Sequence, residues 1–80
     1  MLSLNKIRRS IDLNDLASVK KCLGRLWSAF QLAKPTAKRE LLGLSELIRG
    51  ELAGRDGLSY EWKQILRRID GLLELMRKAI

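Results

Sequence analysis

Lys20, Lys21 and Arg25 lie within six consecutive residues. If that stretch is helical, they fall off its apolar stripe and share a sector with Gly24 and Ser28. Such a grouping suits phosphate. The cations attract an oxyanion, and the small residues let it come close. Contacts of this type give affinity and salt dependence but carry little sequence information. Lys6, Arg8, Arg9, Lys34, Lys38 and Arg39 complete the basic set of the first thirty-nine positions.

The charge is one-sided. Residues 1–39 hold nine Lys/Arg against Asp12 and Asp15, a balance of +7, and residues 40–80 hold seven of each sign. The whole net charge of +7 therefore sits in the first half. A charge serving only solubility needs no such asymmetry; an electrostatic footprint does.

Catalytic equipment is sparse. There is no histidine, so the commonest general base and metal ligand is missing. One cysteine and scattered carboxylates do not make a zinc site. Gly50, Gly54 and Gly57 lack the lysine of a phosphate loop. We expect no enzyme, metal or cofactor. Cys22, the sole cysteine, lies beside an apolar stripe and reads as a small core residue. A secreted domain of eighty residues would usually carry several cysteines, so a cytoplasmic protein is expected. No apolar run approaches the ~18 residues of a membrane span. Residues 1–11 lack acids, as a transit peptide does, but Asp12 and Asp15 interrupt that pattern early.

The elements that must position these groups are helices. Leu16, Val19, Leu23, Leu26, Phe30 and Ala33 recur at steps of three and four, which gives one stripe on a 3.6-residue helix. Asp12 is the expected N-cap, with Asp15 in the first turn and Ile11 and Leu16 placed as a hydrophobic staple. Lys34 in the last turn and Pro35 after it mark the end. A second helix begins between Pro35 and Ala37 and ends near Ala53, with Ala37, Leu41, Leu44, Ile48 and Leu52 as its stripe. Gly43 and Gly50 weaken it or admit a close neighbour. Gly54 to Gly57 read as a C-cap and turn. Ser59 caps a third helix, Tyr60 to Lys78, with the stripe Trp62, Ile65, Ile69, Leu72 and Met76. One valine and no two-residue alternation leave no strand. These features predict an all-α fold: a single domain, a small antiparallel three-helix bundle, with residues 1–11 a basic N-terminal arm or short helix.

Ala53, Gly57, Leu58 and Ser59 resemble the A-x-x-x-G-V-S turn of helix-turn-helix motifs. Lys63, Gln64, Arg67 and Arg68 would then face DNA. Asp56 occupies a usually apolar position, however, and Lys63 stands where a core residue belongs. Trp62 is one residue early, a rotation of about 100°.

Two functions follow. The first is a non-enzymatic nucleic-acid-binding protein or nucleoprotein subunit, contacting DNA or RNA largely without regard to sequence through the nine basic residues. The second is a protein-interaction module (inhibitor, adaptor or small subunit) without nucleic-acid contact. Its motive is that 46% of the residues are hydrophobic, and that Trp27, Leu32, Leu42, Leu47, Leu66, Leu73, Leu75 and Ile80 cannot all be central in three short helices. Trp27, Leu66, Leu73 and Leu75 are the candidate interface, toward a protein partner or a second copy. Binding of the basic helix to an anionic membrane surface is less compatible with the acidic residues and clear turns of the second half.

Overall fold

The computed structural model describes residues 12–80. The expected basic arm, with Lys6, Arg8, Arg9 and Ile11, lies outside the described residues. The chain forms α1 (Leu16–Leu32), α2 (Pro35–Ala53) and α3 (Tyr60–Lys78), and each helix packs on both others. This is an all-α three-helix bundle. Among the described residues no helix is long and apolar enough to cross a membrane.

The stripes meet in one core. Val19, Leu23, Leu26 and Phe30 of α1 are buried, as are Leu41, Leu44, Ile48 and Leu52 of α2. From α3 come Ile65, Ile69, Leu73 and Met76. Each large apolar side chain so buried contributes about 1.5–3 kcal/mol relative to exposure. Contacts between α2 and α3 reverse in order along the chain: Glu46 pairs with Arg77, and Arg49 pairs with Asp70. The two helices therefore run in opposite directions. Ser45 is the one fully buried polar residue of the described core. Its hydroxyl donates to the Leu41 carbonyl at 2.9 Å and lies 3.7 Å from Met76 Sδ.

Three local expectations need correction. Asp15, not Asp12, caps α1: its carboxylate accepts from the Ala17 N–H at 3.1 Å. Asp12 opens a turn one step earlier. Its Oδ1 accepts from the Asn14 N–H at 2.9 Å and its carbonyl from the Asp15 N–H at 3.1 Å. Aspartate serves either role, and the turn puts Leu13 against the core, where it packs. With Asp15 as cap, Leu16 is the first helical residue and cannot be the inner half of a staple. At the other end Lys34 is not in the last turn of α1. That helix stops at Leu32, and Lys34 is the extended residue capping α2 at Pro35.

The third correction is Leu73, expected at an outer interface and found 2% exposed. Helix α3 lies against both neighbours, so its buried arc is wide enough to take Leu73 on one side and half-buried Leu72 on the other. The α2–α3 connection needs a left-handed backbone only at Gly57, where φ is 65°. Arg55 ties this connection down. Its guanidinium donates to the Leu13 carbonyl at 2.7 Å and sits 5.4 Å from the Trp62 ring centre. Trp62 turns toward the core while Lys63 is exposed.

Two outcomes follow for chemical unfolding in urea. Asp15→Ala should cost about 1 kcal/mol through the lost cap, and Asp12→Ala clearly less; an inverted order would return the cap to Asp12. A Cβ added at Gly43 or Gly50 meets nothing within 4 Å. Each Gly→Ala change should therefore raise stability by about 0.5–1 kcal/mol; a loss at either site would mean that another surface presses on it.

Candidate functional site

The cationic sector of α1 opens onto a groove at the α1–α2 corner, with a volume of about 970 Å³. Lys21, Gly24, Arg25, Ser28 and Leu32 form its α1 wall. They follow one another at helical spacing, so the wall runs about 16 Å along the axis. Ala29 also belongs to the α1 side, Ala33 and Lys34 stand at the corner, and Ala37 and Leu41 line the groove from α2. The result is an apolar trough carrying three cations. No carboxylate lines it. The first turn of α2 contains no acid and its cap residue makes no side-chain hydrogen bond, so the helix dipole adds to the positive potential.

The structure brings part of the sequence-derived basic set together and separates the rest. Lys21, Arg25 and Lys34 come together around the groove, with Gly24 and Ser28 between them. Lys20 and Arg39 are exposed but do not line it. Lys20 is one residue from Lys21 and so points about 100° away around the helix. Lys38 is half-buried, its ammonium 5.4 Å from the centre of the Phe30 ring. Lys6, Arg8 and Arg9 lie outside the described residues.

None of these six described cations forms an ion pair among the described residues. Arg49–Asp70, Arg77–Glu46 at 3.4 Å and Lys78–Glu74 at 3.4 Å all draw on cations of the second half. Glu46, Asp70 and Glu74 are thus matched within α2 and α3, while Glu40, Glu51 and Glu61, like Lys63, Arg67 and Arg68, enter no ion pair among the described residues.

The expected partner-facing residues divide. Trp27 is half-buried and stacks on Phe30 with ring centres 5.8 Å apart. Leu66 is half-buried against the core, Leu73 belongs to the core, and Leu75 is 52% exposed. Leu32, 89% exposed inside the groove, belongs to the apolar surplus but not to the expected interface set of Trp27, Leu66, Leu73 and Leu75. Its signal was present: it stands off the α1 stripe immediately before the helix end that Pro35 enforces.

Cys22 is buried, and burial pushes its thiol up to about 11, against a weaker downward pull from Arg25. It offers no thiolate near neutral pH. Because the folded-state value lies above the unfolded one, the stabilisation is complete below about pH 9 and is lost as pH rises toward 11. The stability difference between the wild type and Cys22→Ala should therefore be constant up to pH 8 and shrink between pH 9 and 11. A difference independent of pH would place the thiol in water. No protein-family model, curated protein or solved structure matches this chain, so the character of the groove rests on its own side chains.

Proposed function

We propose that this is a small, non-enzymatic nucleic-acid-binding protein or accessory subunit of a nucleoprotein complex. It acts in the cytoplasm and grips the phosphate backbone with the basic face of α1 and the α1–α2 corner. The observation that carries this reading is the unpaired state of Lys20, Lys21, Arg25, Lys34, Lys38 and Arg39 among the described residues. Carboxylates are available in the same molecule, yet the ion pairs form elsewhere. Cations left in this state release counterions from a polyanion, which drives phosphate binding. The groove walls offer ammonium, guanidinium and one hydroxyl but no amide side chain. That chemistry suits phosphate oxygens rather than base edges, so binding is largely independent of sequence.

A second reading, a protein-interaction module, is favoured by Leu32, whose exposure in an otherwise apolar trough serves no phosphate contact.

Fluorescence anisotropy with labelled DNA and RNA, single-stranded and duplex, tests the first reading. For about four neutralised phosphates on duplex DNA, affinity should fall roughly a hundredfold between about 50 and 200 mM salt. Lys21→Gln with Arg25→Gln should lower the salt slope by about 2, near 1 per lost contact. Arg67→Gln with Arg68→Gln, exposed on α3, should change it little. Absence of binding at low salt, or an equal loss from the α3 pair, would discard phosphate binding at this face.

A further inference from the structure

We infer that the α1–α2 groove is the docking site for an acidic amphipathic helix of a partner protein. Such docking rests on the interaction-module reading and sharpens it; it draws on the same three cations as phosphate binding, so a docked helix and a nucleic acid would exclude one another.

Three features define the occupant. The trough has an apolar part formed by Ala29, Leu32, Ala33, Ala37 and Leu41, with Leu32 almost fully exposed in it, and a polar stretch from Lys21 to Ser28 on α1. A polyanion alone leaves that surface wet; an apolar helix face covers it. The only charged groups lining the trough, Lys21, Arg25 and Lys34, are all cationic. The occupant must therefore carry acids beside its apolar residues. Alanines at 29, 33 and 37 keep the trough shallow-walled and open, which suits the rounded face of a helix rather than an acyl chain seeking enclosure. A wall about 16 Å long accommodates anchors at i, i+3, i+4 and i+7, which span about 10.5 Å.

Charge also excludes the two nearest alternatives. The chain's own first eleven residues carry Lys6, Arg8 and Arg9 and no acid, so they would bring like charge to the trough. Two copies related by two-fold symmetry would set Lys21, Arg25 and Lys34 against themselves. An acidic helix meets neither objection and would exchange weakly held counterions for carboxylates.

The test uses the full chain and two labelled peptides of roughly 18 residues, about five turns each. One places leucines at i, i+3, i+4 and i+7 with glutamates flanking them. The other has the same composition shuffled to abolish that spacing. The patterned peptide should bind at least tenfold tighter than the shuffled one. Leu32→Glu should abolish the difference. Gly24→Glu, at a site on the groove wall where an added Cβ meets nothing within 4 Å in the free chain, should weaken binding by at least tenfold through opposed charge and added bulk. Amide shifts in a heteronuclear NMR titration should cluster at Gly24, Ser28, Leu32 and Ala37.

Equal binding of both peptides would reduce the groove to a polyanion site and overturn the docked helix. Shifts clustered at Tyr60 and Leu75 would overturn the location while leaving the interaction-module reading standing. No saturable binding of either peptide would overturn both. A dimer in sedimentation that Leu32→Glu dissociates would assign the groove to a second copy and overturn the partner helix.

Discussion

The corner at Ala33–Lys34 governs the arrangement. Pro35 has no N–H and disfavours a helical residue before it. Lys34 is accordingly extended, with ψ 161°, and Ala33 likewise, with ψ 152°. Two extended residues end α1 at Leu32 and start α2 at Pro35 with almost no slack. Helices joined so tightly cannot adjust their separation independently. Their apolar stripes must converge from the corner outward, as Phe30 and Leu41 do in the core. The same corner fixes Lys34 just beyond the last turn of α1, at the groove that Lys21 and Arg25 also line. A core requirement and a surface feature thus come from one proline.

The distribution of charge follows a different rule. Helices α2 and α3 carry the acids, and their ion pairs lie at the exposed edges of an apolar interface. Exposed pairs of this kind contribute only about 0–1 kcal/mol each, so they adjust the contact between helices rather than create it. The first half has two acids, and the structure commits both elsewhere. Asp12 closes a turn and Asp15 caps α1. No carboxylate therefore remains on α1 to neutralise its cations. The self-repulsion of that face is a standing cost, tolerable because the cations project into solvent and lowered whenever an anion binds.

How far this could be read from one dimension depends on the kind of information each feature needs. The α2 and α3 boundaries were legible because Pro35, Gly54 and Ser59 act within a few residues of themselves. The start of α1 was ambiguous because Asp12 and Asp15 are both competent caps. The choice depends on whether Leu13 reaches the core and on Arg55 binding its carbonyl, a contact across 42 positions. Leu73 was misplaced because periodicity gives the centre of a stripe but not the width of the buried arc. That width depends on how many neighbours a helix has. The cluster Lys21, Gly24, Arg25 and Ser28 was visible on one helix. The groove was not, since its other half belongs to α2 and appears only once the corner angle exists.

Leu41 shows why the groove and the core should be considered together. It is buried, at 5% exposure, yet it also lines the trough. In a bundle only three helices thick, one side chain can belong to the interior and lie immediately beneath a binding surface. An occupant of the trough therefore adds a layer to the same apolar assembly, and its contacts extend the α1–α2 interface outward. Lys21, Arg25 and Lys34 would orient such an occupant from outside, and among the described residues no acid is paired with them. For any occupant, burial against the apolar side chains and attraction to the cations would be separable contributions, because Leu32, Ala37 and Leu41 supply the first and Lys21, Arg25 and Lys34 the second.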